Sequence, residues 1–210
     1  MGLIRARTEA EIAGRQEEII NACDVLYSRY GYEGVHFKAI STITTLKRPT
    51  IYSYYKTKEE VLLDLLRREM LDWETALRKK FDTTESMTRE EFSMFLAGGA
   101  ASREKMLNLL SILTTMVENQ CRTENLALFK RDAGGVTTAI LKGLEKYFPG
   151  TAPEKQQFFK TMLLTCIHGL FPLTHLSKKQ IEAMKIAGRD YVPVDFKETL
   201  YKAILLLLKD

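Results

Sequence analysis

Apolar residues recur at spacings of three and four along almost all of this 210-residue chain, and no alternating run rich in Val, Ile and Thr interrupts them. That is the period of an amphipathic helix, so the expected fold class is all-α. Punctuation divides the pattern. A first helix is expected from about Thr8 to Arg29, with Ile12, Ile19, Ala22, Cys23, Leu26, Tyr27 and Tyr30 on one stripe. Gly31 follows where a left-handed cap ends a helix, and Tyr32 can pack back over the last turn. A short second helix runs from about His36 to Thr44, with Phe37, Ile40 and Ile43 facing inward. Thr45-Leu46 turns the chain. A third helix then covers about Lys47 to Tyr54, with Pro49 in its first turn, where a missing N–H costs nothing.

The rest of the chain reads as longer helices. Thr57-Lys58-Glu59-Glu60 has the form of a capping box and opens a helix to about Phe81, with Val61, Leu62, Leu65, Leu66, Met70, Trp73 and Leu77 inward. After a polar loop to Met87, Thr88 caps a fifth helix that ends near Gly98-Gly99. A sixth runs from Ser102 to about Glu118. A seventh, from about Thr123 to Phe148, is expected to bend at Gly134-Gly135. Pro149-Gly150 ends it, and Thr151-Ala152-Pro153-Glu154 starts another helix. From Phe158 to Phe171 this one is apolar on nearly all sides, as is the end of the last helix, about Asp195 to Lys209. A helix without a solvated face needs cover on two sides. A second subunit is the simplest source of the outer cover. Phe158, Phe159, Met162, Leu163, Cys166, Ile167, Leu200, Ile204, Leu207 and Leu208 are therefore the expected interface of a homodimer built as a four-helix bundle.

Charge is uneven. No Asp or Glu occurs between Glu33 and Glu59, whereas Lys38, Lys47, Arg48, Lys56 and Lys58 all fall there. The window carries +5 in a chain of net charge +4, so the remainder is slightly acidic. Concentrated positive charge suits a surface that meets phosphates. Two short helices joined by a tight turn, after a longer supporting helix, make a helix-turn-helix.

At these residues the chain resembles the N-terminal domain of the TetR family of bacterial transcriptional regulators. The shared features are the apolar helix ending before Gly31-Tyr32, Ile40, Leu46, Pro49-Thr50-Ile51-Tyr52, Tyr54-Tyr55 and Lys58-Glu59-Glu60, over about Arg15 to Leu66. The chain departs from the pattern at the turn. Thr44-Thr45 stands where the family usually has Ala-Gly, Lys47 where it has a capping Ser, and His36 where it has a Ser or Thr cap. A β-branched Thr45 disfavours left-handed backbone, so another turn shape is expected. The resemblance implies a helix-turn-helix DNA-binding domain at residues 1–56 and a helical effector-binding and dimerisation domain at 57–210.

The residues expected to meet DNA are His36, Lys38, Lys47, Arg48, Thr50, Tyr52, Ser53, Tyr54, Lys56 and Lys58. Lys47 and Arg48 can reach base edges, and an arginine can grip guanine O6 and N7 together. Lys56, Lys58, His36 and the Tyr52 hydroxyl suit phosphates. One short helix reads too few base pairs to be selective, so a symmetric dimer on a pseudo-palindromic operator is expected. Trp73, Phe92, Phe95, Met116, Phe129, His168 and Phe171 are the candidate lining of a pocket for an unidentified, largely apolar effector, with ordinary core packing as the alternative for each.

Other classes fit less well. There is no Gly-rich phosphate loop, nucleophile elbow or paired-acid motif, so no catalysis and no cofactor are expected. His168 and His175 lack companion ligands, so no metal is expected. Met1–Arg7 is charged where a signal peptide would be apolar, and the longest apolar run, Ala203 to Leu208, is too short to span a bilayer. Three scattered cysteines suit buried free thiols in a reducing cytoplasm. The rival expectation is a helical dimeric protein-interaction module whose helix-turn-helix has lost DNA, with the Thr44-Thr45 turn and the Lys47 cap as its grounds.

Overall fold

The computed structural model describes residues 8–209; Met1–Arg7, read above as lacking a signal peptide, lies outside them. Ten α-helices follow one another: α1 (Glu9–Gly34), α2 (Phe37–Ile43), α3 (Arg48–Tyr54), α4 (Lys58–Thr83), α5 (Arg89–Ala101), α6 (Glu104–Ile112), α7 (Thr123–Tyr147), α8 (Pro153–Thr174), α9 (Lys178–Ile186) and α10 (Phe196–Leu207). No strand occurs among the described residues, and no helix among them is long and apolar enough to cross a membrane. The all-α expectation holds.

The chain forms two compact units. The first comprises residues up to Arg68 together with Leu113–Arg131; the second comprises Glu69–Ile112 and the chain from Asp132 onward. In the first, α1 buries Ile19, Ala22, Cys23 and Leu26, α2 buries Phe37 and Ile40, and α3 buries Ile51. These faces meet Tyr55, Val61, Leu62, Leu65 and Leu66, all buried. Burial of these side chains, favourable by about 25 cal/mol per Å² of apolar surface, drives the packing of this unit. Gly31, at φ 65°, breaks α1 where the cap was expected, and a single further turn ends at Gly34. A Cβ on Gly34 would fall 2.2 Å from that of Tyr30, so only glycine fits this turn. Two stripe positions differ from expectation: Ile12 and Tyr30 are exposed, because the core reaches only the middle of α1. Ile43 is exposed too, since α2 ends before it can turn inward.

In the second unit α10 packs against α5 and α8, and α8 against α6. Phe81, Phe92, Phe95, Tyr147 and Phe148 form an aromatic cluster with centroids 5.5–6.1 Å apart. Trp73 is buried, its indole N–H has no acceptor among the described residues, and the bare Cα of Gly99 lies against it.

Boundaries shift from expectation where side chains intervene. The sixth helix stops at Ile112, then widens into a π-helical turn (Leu113–Val117) and tightens into a 3-10 turn (Glu118–Gln120). Two adjacent β-branched residues, Thr114 and Thr115, sit in the widened turn, where they crowd an α-helix less. Helix α7 runs unbroken through Gly134-Gly135. Gly135 gives room to Glu74, not a bend, as its Cβ would lie 2.0 Å from the Glu74 carboxylate. Helix α9 went unread because none of its residues is buried; its one signal was the Ser177 and Gln180 capping box. Cys23 is buried as expected, but Cys121 and Cys166 are only half-buried. Burial pushes the Cys23 and Cys121 thiols up to about 12 and that of Cys166 upward, so all three stay protonated at neutral pH.

Two glycines of α7 separate propensity from packing. Gly134 has nothing near its missing Cβ, whereas a Cβ on Gly143 would lie 2.7 Å from the clustered Phe81 ring. Gly134→Ala is expected to raise stability by up to about 1 kcal/mol. Gly143→Ala is expected to lower it by about 1–2 kcal/mol despite the same gain in propensity. Thermal melts of the two variants shifting in the same direction would contradict the packing.

Candidate nucleic-acid interface

Helix α2 opens on an extended His36, whose Nδ1 accepts from the Ala39 N–H at 3.0 Å. The ring therefore caps the helix in place of a hydroxyl, and a neutral His36 carries its proton on Nε2. Lys38, one residue into α2, is exposed. The turn to α3 uses no positive φ: Thr44 is extended, and every positive φ among the described residues belongs to glycine. Thr44 donates its hydroxyl to the Ile40 carbonyl at 2.9 Å, and Glu18 of α1 accepts from the Thr45 N–H and, at 3.1 Å, from its hydroxyl. Hydrogen bonds donated to α1 thus do what a glycine does elsewhere.

Lys47 occupies the N-cap of α3 without a side-chain cap bond, and Pro49 sits in the first turn. Lys47 and Arg48 are exposed. Among the described residues, Lys38, Lys47 and Arg48 have no ion-pair partner. Thr50 is half-buried and Ser53 exposed, with the Ser53 hydroxyl donating to the Thr50 carbonyl at 2.6 Å. Tyr52 is exposed and meets Phe37 edge-on at 4.7 Å. Tyr54 is half-buried. Lys56 is exposed, its ammonium 3.2 Å from the Tyr52 carbonyl. Lys58 stands apart from the others, half-buried over the Tyr32 ring at 3.7 Å and donating to the Tyr32 carbonyl.

The far end of α3 is fixed by a buried carboxylate. Glu60 does not complete a capping box: Thr57 accepts from the Glu60 N–H, but the Glu60 carboxylate turns to the Lys56 N–H at 2.8 Å. It also accepts from Arg122, from the backbone N–H at 3.1 Å and from the guanidinium at 2.6 and 2.9 Å. Arg122 in turn donates to the Tyr54 carbonyl, the last residue of α3, at 3.2 Å. Thr57 donates to the Gln120 carbonyl at 3.0 Å. Burial alone would push the Glu60 carboxyl up. The hydrogen bonds from Arg122 and Lys56 outweigh it and hold the group below the usual carboxylate range. Sequence reasoning missed both Glu18 and Arg122, because nothing local marks a partner 27 or 62 residues away.

The expected effector residues scatter. Met116 is exposed and Phe129 buried in the first unit. In the second, Trp73 and Phe92 are core, Phe95 lines a 540 Å³ groove with Met87, Met94 and Tyr201, and Phe171 lines a separate 240 Å³ cleft beside His175. His168 is exposed on α8. Of the expected interface residues, Phe159, Leu163, Ile167, Leu200, Ile204 and Leu208 are buried inside the single chain, because α8 and α10 pack on each other. They are core, not an outward face. Phe158 is 56% exposed, and Met162, Cys166 and Leu207 are half-buried.

Residues 67–209 match the family described as the tetracyclin repressor-like, C-terminal domain. No curated protein matches the chain. Among solved structures, the fatty acid degradation regulator FadR from Bacillus halodurans superposes with a TM-score of 0.57 at 19% identity, covering 92% of this chain and 94% of that one. FadR from Bacillus subtilis, in complex with stearoyl-CoA, gives 0.55 at 16% identity, with 91% and 97% covered. AmtR from Mycobacterium smegmatis gives 0.54 at 16% identity, with 99% and 89% covered. At these identities the likeness is one of fold. The family match spans well over half of the chain, so the chain belongs to the TetR family of transcriptional regulators.

The Glu60 bonds give a pH signature. A carboxyl held low in the folded state contributes stability that is complete above its unfolded value, roughly 4.3, and is lost as pH falls through the folded value. Acid titration of the folded protein should therefore show a loss of stability below about pH 4. Glu60→Gln should flatten that limb, and Glu60→Ala should cost about 2–3 kcal/mol at pH 7 by stranding the Lys56 and Arg122 donors. An unchanged acid limb in Glu60→Gln would remove Glu60 from this role.

Proposed function

We propose that this TetR-family protein is a sequence-specific DNA-binding repressor that leaves its operator when a small, largely apolar molecule binds. The observation that carries the reading is the outward end of α3. Lys47 and Arg48 stand exposed there, without ion-pair partners among the described residues, on a helix-turn-helix whose inner faces are buried. Unpaired cations on an exposed short helix suit base edges and phosphates. Lys38, Thr50, Tyr52, Ser53, Tyr54 and Lys56 extend the same surface, and His36 offers Nε2–H to a phosphate. Lys58 contributes less, since Tyr32 already engages it.

Residues 1–56 act as the reader, and 57–210 carry the effector site and the dimer interface. The effector acts on the reader through the segment that leaves the second unit after Ile112 and returns at Asp132. Arg122 in that segment grips the end of α3, so a displacement of its helices changes the hold on Tyr54. The B. subtilis FadR structure holds stearoyl-CoA, whose long apolar chain is of the class proposed here for the effector. A homodimer on a pseudo-palindrome in the cytoplasm completes the reading. Its interface uses the outward residues Phe158, Met162, Cys166 and Leu207, extended by the exposed Leu173 and Leu206.

Duplex fragments selected from the host genome should bind with an affinity that falls steeply with salt. Arg48→Ala should lose roughly 1–3 kcal/mol of discrimination at one base pair per half-site. Lys56→Ala should weaken all duplexes alike and reduce the salt slope by about 1. Equal, salt-insensitive binding to every duplex would instead favour a protein-interaction module. Phe158→Glu should yield a folded monomer in light scattering with circular dichroism unchanged; a persisting dimer would move the interface elsewhere.

A further inference from the structure

The turn between α2 and α3 is held by one side chain from outside the helix-turn-helix. Glu18 lies on α1, 27 residues before Thr45, and its two oxygens divide between the two donors of that one residue, the backbone N–H and the hydroxyl. Thr44 stiffens the turn from within, donating to Ile40 and accepting from the Leu46 N–H at 3.4 Å.

The ends of α3 are secured unequally. Its C-terminal side has the buried Ile51 and Tyr55, a 2.8 Å bond from the Tyr55 hydroxyl to Asp64, and Arg122 on the Tyr54 carbonyl. Its N-terminal side has no side-chain cap; only Leu46 is buried there, and Thr45 is exposed. Lys47 and Arg48 follow Thr45 by two and three residues. A two-point bond to the long α1 fixes both the distance and the rotation of the turn, and with them the direction in which Arg48 leaves the helix.

We propose that the Glu18–Thr45 clamp is a specificity-determining positioning device, aiming the N-terminal end of α3 at base edges. The inference rests on the DNA-reading proposal above and adds a residue to it. Its electrostatics give it a distinctive signature. The stretch from Gly34 to Lys58 contains no acid, but the fold brings Glu18 against it. A carboxylate there repels phosphates, so it opposes non-specific binding while it orders the reader. Base readout needs placement to within about 0.5 Å, whereas long lysines follow a phosphate through larger shifts. Removing the clamp should therefore move specific and non-specific affinity in different directions.

The test uses the full-length protein, the tightest duplex recovered from fragmented host DNA, and a scrambled duplex of equal length, with anisotropy read at two salt concentrations. Glu18→Ala should bind the selected duplex about tenfold more weakly, the loss of a charged hydrogen bond, and the scrambled duplex as tightly as before or more so. Glu18→Gln keeps an acceptor for the Thr45 N–H and should recover part of the selectivity. Thr45→Val removes only the hydroxyl, should lose less, and should add nothing to Glu18→Ala in the double variant. Should Glu18→Ala fail to fold by circular dichroism, Thr45→Val alone must still lower selectivity. An unchanged ratio of selected to scrambled affinity, or an equal loss on both, overturns the clamp while leaving DNA reading intact. A wild-type protein that prefers no duplex at any salt overturns both.

Discussion

A carboxylate with almost no access to water organises the first unit. Glu60 would be unfavourable there as a lone charge, since burying an ion without partners costs several kcal/mol. Four donors surround it, three of them from Arg122. Because those donors come from residues 56 and 122, the carboxylate joins the start of α4 to a segment far along the chain. Arg122 spends its remaining reach on the last carbonyl of α3. The short third helix, whose N-cap Lys47 makes no side-chain bond, is thereby tied at its other end to an arginine 68 residues later. The compact unit accordingly includes Leu113–Arg131, which no sequence boundary suggested.

The two ends of α3 show two solutions to one problem. A seven-residue helix has little intrinsic stability and takes its orientation from whatever it touches. The C-terminal end is held by Arg122, itself paired with the buried Glu60, by an aromatic anchor and by packing. The N-terminal end relies on an exposed pair of hydrogen bonds that Thr45 donates to Glu18. That asymmetry makes the aim of the cations depend on one carboxylate, while the end that continues into α4 is held from several sides.

Periodicity made the helices legible, and punctuation made most of their ends legible. Thr88 forms the reciprocal cap its sequence suggests, and Gly31 adopts the left-handed backbone its position suggests. The inward faces of α1 to α4 follow from the same spacing, apart from Ile12, Tyr30 and Ile43 at helix ends. What escaped the sequence was tertiary. Glu60 looked like half of a capping box because the local pattern is complete; a competing donor 62 residues away captured it. Apolarity on all sides of α8 and α10 suggested an interface, yet one chain buries most of those residues between its own helices. Aromatic residues chosen as a pocket lining proved indistinguishable, by type alone, from the stacked core around Phe81.

One further property follows from the surroundings of Trp73. It is the only tryptophan in the chain and belongs to the second unit. The indole is packed away from water, its N–H lacks an acceptor among the described residues, and the Arg103 guanidinium lies 6.0 Å from its ring. Its fluorescence is therefore an intrinsic optical gauge of that half of the molecule, short in wavelength while the packing is intact. Because the emitter is absent from the helix-turn-helix, a spectral change reports on the body without labelling and without interference from the reader.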